Sequence, residues 1–244
     1  MDDLIVAQGI TKEFYQGKGS SLRVIPVLRG VDLTVAPGEM LSIVGRSGSG
    51  KSTLLHCLSG LETITSGSVV IRGSEVSSMR GSAIAKIRSK HLGFIFQSYN
   101  LIPSLTVKEN IVLPAYLAGM PLSNQQVERV LESVGLDFSC VRKMPSELSG
   151  GEQQRVSIAR VMAKSPDVVF ADEPTGALDA ANGRKVLDML RSAANGRRSV
   201  VMVTHDLEAA SLADRVLIIH DGLILSELSN VTPHQILEKM GEIS

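Results

Sequence analysis

The sequence predicts an α/β fold, and three observations predict it. Four short runs, Met40-Leu41-Ser42-Ile43-Val44, Val168-Val169-Phe170-Ala171, Val200-Val201-Met202-Val203 and Val216-Leu217-Ile218-Ile219, are apolar along nearly their whole length. Strands buried on both faces of a parallel sheet have this texture. Helical spacings separate the runs, and a glycine-rich turn joins the first run to a helix.

The elements follow in chain order. Over the first forty residues apolar and polar side chains alternate, as in Val31, Leu33 and Val35 about Asp32 and Thr34. That period marks half-exposed antiparallel strands, an N-terminal β subdomain. From Lys51 to Ser59, Leu54, Leu55 and Leu58 share one helical face, and Gly60 is a suitable end. Thr106 with Glu109, Ser123 with Gln126, and Ser149 with Glu152 fit the capping box, so three helices are expected to start there. The first two form a helical lobe, inserted at about residues 98–150 into the series of buried strands. Asp221-Gly222 reads as a tight hairpin, and a last helix is expected after Pro233.

Composition narrows the function classes. The 244 residues, at roughly 150 per domain, suit one large domain or a core with an inserted lobe. With 43% apolar and 20% charged residues the chain reads as globular. Twenty-five basic side chains balance 25 acidic ones, which argues against a nucleic-acid partner. No run of eighteen apolar residues is present, and Met1-Asp2-Asp3-Leu4 lacks the basic start of a secretory peptide. A cytoplasmic location is expected. Cys57 and Cys140, far apart and without a CxxC spacing, are expected to be reduced, partly buried thiols.

Gly45-Arg46-Ser47-Gly48-Ser49-Gly50-Lys51-Ser52 matches GxxxxGK[ST] between a buried strand and a helix, the context in which the motif binds phosphate. Glycines let successive N–H groups turn inward onto an anion, and the helix start adds its positive dipole end. Lys51 is expected to reach the outer phosphates and Ser52 to hold Mg2+. The run from Val168 ends in Asp172-Glu173. The first acid is read as part of the metal shell, and the second as the neighbour of an attacking water. Taken alone, two acids ending a strand are as often solvated charges. Gln97 and His205 each follow an apolar segment, at the sheet edge where open α/β sheets bind ligands. The bland readings are a polar strand cap for Gln97 and a loop or N-cap neighbour for His205. Leu148-Ser149-Gly150-Gly151-Glu152 opens a helix, a second start with amides free for an anion, although Ser149 can equally serve only as a cap.

In this order the motifs resemble those of the ATP-binding cassette family: the cradle Gly45 to Ser52, Gln97, the signature Leu148 to Glu152, Asp172-Glu173, Ala177-Leu178-Asp179 and His205. The resemblance covers nearly the whole chain. It implies a P-loop nucleotide-binding core with a mostly parallel sheet, an N-terminal antiparallel β subdomain and an inserted helical subdomain. Residues 1–244 would form a single nucleotide-binding domain, with 1–97 and 165–244 as core and 98–164 as the helical subdomain and signature helix. ATP and Mg2+ are the implied ligands.

Residue by residue, the resemblance assigns Gly45, Arg46, Ser47, Gly48, Ser49, Gly50, Lys51, Ser52 and Thr53 to phosphate binding. It assigns Ser52, Gln97 and Asp172 to Mg2+, with Gln97 also at the lytic water and reporting nucleotide state to the helical lobe. Glu173 is the implied base, and His205 holds the terminal phosphate. Two cassettes closing head to tail are implied, hence a homodimer in which Ser149, Gly150 and Gly151 meet the triphosphate of the partner's site and Asp179 links the two sites. The aromatic that stacks on adenine is Phe14 or Tyr15, and spacing from Lys12 favours Phe14.

Pro145-Ser146-Glu147, the segment from His91 to Pro103 and Pro174 to Asp179 are similar to the lipoprotein-release, macrolide-export and cell-division branch. That branch implies a separate membrane permease, with the chain peripheral on the cytoplasmic face of the inner membrane. The implied function is ATP hydrolysis coupled to export or mechanotransmission. The alternative is a regulatory ATPase of the cell-division type, signalling through a membrane partner without transport. A GTPase is disfavoured by the lack of an NKxD pattern, and a repair or translation cassette by the lack of a coiled-coil insertion or second cassette.

Overall fold

The computed structural model describes residues 3–17 and 23–242. Strands β1 (Ile5–Gln16) and β2 (Arg23–Val35) pair antiparallel, and β3 (Met40–Val44) leads into helix α1 (Lys51–Leu58). Next come β4 (Ser66–Ile71), β5 (Ser74–Glu75), α2 (Ser82–His91) and β6 (Leu92–Phe96). Helices α3 (Val107–Leu117), α4 (Asn124–Ser133) and α5 (Gly150–Met162) follow. The chain then alternates through β7 (Val168–Asp172), α6 (Ala180–Ala193), β8 (Ser199–Val203), α7 (Leu207–Ser211) and β9 (Arg215–His220). It ends in β10 (Leu223–Ser229) and α8 (Pro233–Glu242).

Two sheets result. The smaller has the order β2-β1-β4-β5, all antiparallel, and the larger β10-β9-β3-β8-β7-β6. In the larger sheet every pairing is parallel except that of the edge strand β10, which the Asp221-Gly222 turn folds back onto β9. Because strand side chains alternate faces, β7 sends Val168 and Phe170 into a core shared with the antiparallel sheet and α1. Val169 and Ala171 enter a second core built with α3, α4, α5 and α6. The helical lobe therefore has no separate interior: its apolar side chains continue onto one face of the large sheet. The three capping boxes form at Thr106, Ser123 and Ser149, each with both reciprocal hydrogen bonds. Cys57 and Cys140 are buried free thiols, and burial pushes the Cys57 thiol up to about 12. No helix among the described residues is long and apolar enough to cross a membrane.

Asp167 joins the two sheets. Its Oδ2 accepts from Arg72, at the β4–β5 turn, at 2.5 Å and lies 2.7 Å from His91 Nδ1, at the end of α2. Burial works against the charge, but the hydrogen bonds from Arg72 and His91 outweigh it and hold the carboxyl below the ordinary aspartate range. A carboxylate depressed in the folded state adds stability above its unfolded value, near ~3.9, and loses it as pH falls through the lower folded value. Asp167→Asn should therefore lower Tm at pH 7 by about 3–6 °C. The gap to the wild type should close in acid, as pH falls below the ordinary aspartate range. Thermal melts across pH check both; equal Tm values at pH 7 would show that this cluster does not brace the sheets.

Candidate active site

Every sequence-marked polar group of the core lies where a parallel strand ends. β3 delivers the glycine loop, β6 Gln97, β7 Asp172 and Glu173, and β8 Thr204 and His205. These strand ends share one edge of an open sheet, where loop amides and helix N-termini converge.

The loop is shaped by close backbone approach. A Cβ on Gly45 would stand 2.2 Å from the Ile219 carbonyl of β9, and one on Gly50, at φ 100, 3.0 Å from the Val27 carbonyl of β2. The β9–β10 hairpin supports the loop from below: Gly222 N–H donates to Ser49 O at 3.1 Å. Helix α1 begins at Lys51, so the first amides of that helix have no intrahelical acceptor and face the loop opening. Lys51 Nζ donates to the carbonyls of Gly45 at 2.9 Å and Arg46 at 3.0 Å, so the ammonium lies across the loop. Burial lowers its pKa, against the opposing pull of Glu173 and Asp172. Arg46, Ser47 and Ser52 are exposed, and Thr53 is half-buried behind them.

Beside the loop, Ser52 Oγ donates to Asp172 Oδ1 at 3.0 Å, and His56 Nε2 stands 3.7 Å from Oδ2. Burial raises the Asp172 pKa, while the Ser52 hydrogen bond works the other way. The next residue breaks the strand's alternation: Glu173 has φ 48, a left-handed conformation unusual for a side chain of its size. Its N–H is held by Val203 O at 2.9 Å. That turn carries the carboxylate toward β8, where Oε2 lies 2.9 Å from His205 Nδ1. Glu173 is largely buried at 18% exposure and His205 is open at 72%. Gln97 packs on Gly176, where a Cβ would meet its Nε2 at 2.8 Å. Ser52, Gln97, Asp172, Glu173 and Ala177 line one cleft of about 440 Å3.

The other marked residues gather elsewhere. Ser149 caps α5, accepting from Glu152 N–H at 3.3 Å. A Cβ on Gly151 would lie 2.8–3.1 Å from the Asn182 side chain. Asp179 caps α6 and accepts from both the backbone and the side-chain nitrogen of Asn182, while Arg155 donates to Asn182 Oδ1 at 3.1 Å. Asn182 thus joins the signature start to Asp179. Nothing in the sequence reading singled it out, although its place at the third residue after a capping aspartate was a signal. A Cβ on Gly150 would lie 2.9 Å from the Tyr99 hydroxyl, which donates to Ala177 O at 3.5 Å. The turn after Gln97 passes through Tyr99 and Asn100, both left-handed, and Arg160 of α5 donates to their two carbonyls at 3.0 and 2.5 Å. Phe14, 39% exposed, lies near the end of β1 with Lys12 against its ring, while Tyr15, 61% exposed, bonds Glu13.

Comparison with known proteins gives the family. Residues 28–176 match the family model described as ABC transporter. The chain is 43% identical over 217 residues to the bacitracin export ATP-binding protein BceA of Halalkalibacterium halodurans, covering 88% of this chain and 85% of that protein. It is 44% identical over 212 residues to the lipoprotein-releasing system ATP-binding protein LolD of Aquifex aeolicus, covering 86% and 94%. With the macrolide export ATP-binding/permease protein MacB 1 of Aeromonas hydrophila it shares 42% identity over 228 residues, spanning 93% of this chain and only about a third (34%) of the relative. The solved dimer of the ATP-binding cassette MJ0796, in a post-hydrolysis state bound to ADP and Pi, superposes with a TM-score of 0.85 at 34% identity, covering 93% of this chain and 99% of that one. The chain belongs to the ABC transporter family, as an ATP-hydrolysing cassette of the kind found in export-type systems.

Proposed function

We propose that two copies of this chain close head to tail over two molecules of MgATP, and that closure and hydrolysis drive motion of a separate membrane permease. The observation that carries the reading is the cluster at the mouth of the glycine loop: the Ser52–Asp172 pair and Glu173 line one cleft, and His205 is held by Glu173. A hard cation held by one hydroxyl, one carboxylate, the Gln97 amide and phosphate oxygens suits this donor set. When bound, Mg2+ neutralises charge on the phosphate oxygens.

The chain's own residues do the rest. Loop amides and the α1 N-terminus hold the phosphates, and Lys51 moves its ammonium from the carbonyls of Gly45 and Arg46 to the outer phosphate oxygens. Glu173 accepts a proton from water as the water oxygen bonds to the terminal phosphorus and the bond to the ADP oxygen breaks. His205, held by the Glu173 carboxylate, donates to the terminal phosphate. Phe14 stacks on adenine, and Ser149, Gly150 and Gly151 of the other copy complete the anion site. Residues 1–97 and 165–244 act as the nucleotide-holding core and 98–164 as the lobe that moves, with Arg160 tying the Gln97 turn to the signature helix.

The relatives' names include bacitracin export, macrolide export and lipoprotein release. By extension the partner is a permease, with the chain peripheral on the cytoplasmic face of the membrane and no nucleic acid involved. Affinity purification of the tagged chain from detergent-solubilised membranes tests this. A co-purifying permease with an extracytoplasmic domain is the expected result. A cell-division protein in its place would favour the regulatory alternative, and a chain recovered free of any membrane protein would defeat both.

A further inference from the structure

Lysine is among the residues least often buried unless paired, yet Lys12 is only 7% exposed. Its Nζ donates to Glu62 Oε1 and to the Thr63 carbonyl, both at 2.7 Å. The acceptors are themselves fixed: the N–H groups of Leu61 and Glu62 both bond to His56 O, folding this turn onto the end of α1. The Glu62 carboxyl is held below its ordinary range, first by the hydrogen bond from Lys12. Lys12 and Phe14 are two apart on β1 and so share a face of the strand. The ammonium stands 4.7 Å from the centroid of the Phe14 ring. One strand residue thus bridges the helix that starts at the phosphate loop and the exposed aromatic at the sheet's end.

We propose that Lys12 is a positioning residue for the nucleotide base: its ammonium, fixed by Glu62 and Thr63, occupies one face of the Phe14 ring and offers the opposite face to adenine. A cation on one side of an aromatic ring is attracted to its negative face and fixes the ring's tilt. It also draws electron density from the free side, which favours stacking against the electron-rich adenine. The inference rests on Phe14 being the base platform, and its test separates the two.

ATP and inorganic tripolyphosphate, each with Mg2+, are titrated against the full chain and its variants. Phe14→Ala should weaken ATP and leave tripolyphosphate unchanged; unchanged ATP affinity would refute the platform and Lys12's role with it. Lys12→Met should weaken ATP about three- to tenfold, leave tripolyphosphate unchanged, and have no further effect in the Phe14→Ala background. Should Phe14→Ala behave as expected while Lys12→Met spares ATP, weakens both ligands alike, or acts undiminished without the ring, the platform stands and the role of Lys12 is overturned. Should Lys12→Met not fold, Glu62→Gln decides: it keeps the ammonium but frees it, and should weaken ATP about twofold or more with tripolyphosphate unchanged. No change in ATP affinity there would overturn the proposal.

Discussion

Glu173→Gln should keep ATP bound and lower turnover by about 10²- to 10⁴-fold, the usual contribution of a positioned general base. The substitution preserves size and leaves an amide beside His205, so the left-handed turn at residue 173 and the 2.9 Å approach to Nδ1 need not change. What it removes is a proton acceptor. ATP affinity by titration should stay within about twofold, because Lys51, Ser52 and the loop amides bind the phosphates and the carboxylate does not. The predicted split is therefore in kcat, with binding spared. His205→Ala supplies the contrast: its ring reaches the terminal phosphate on this reading, so its loss weakens transition-state binding while the base remains. Near wild-type turnover by purified Glu173→Gln would show that this carboxylate is not the base. Equal losses of ATP affinity and turnover would mean that it serves the cradle instead.

How much of this was legible in the sequence depends on how far apart the interacting groups lie. The capping boxes at Thr106, Ser123 and Ser149 need only residues three apart, and all three formed. The apolar runs read as buried strands form β3, β7, β8 and β9, because burial on both faces leaves few polar positions. Helix α2 went unread: it buries only Ile84, so it carries almost no apolar stripe. The Glu173–His205 contact spans 32 residues, and needs β7 beside β8 as well as a left-handed residue at the strand's end. No local spacing encodes either condition. Arg160 reaching the carbonyls of Tyr99 and Asn100 is similarly a product of packing, since α5 must first lie against β6. Lys12 over Phe14 was within reach, because a strand's period of two puts them on one face.

Mixing two inactive variants should restore turnover. Lys51→Ala removes the ammonium from the cradle, while Ser149→Phe places a bulky ring at the exposed start of α5. Each purified alone should lose nearly all activity. In a head-to-tail dimer, however, a site takes its cradle from one copy and its signature from the other. A mixed dimer then contains one site with both parts intact, the cradle of the Ser149→Phe chain facing the signature of the Lys51→Ala chain. Its second site carries both defects. Random pairing at equal concentration makes half the dimers mixed, each with one whole site of two, so recovery should approach about a quarter of wild-type turnover. Loss of the Ser149 cap costs the helix about 1 kcal/mol, and melting curves must show both variants folded at the assay temperature. The Ser149 amide and hydroxyl bond to Glu152 and its carbonyl to Gln153, all within the first turn of α5, as suits a group facing outward to a second copy. Turnover no greater than the sum of the separate variants would place the whole site within one chain and remove the basis for closure across two.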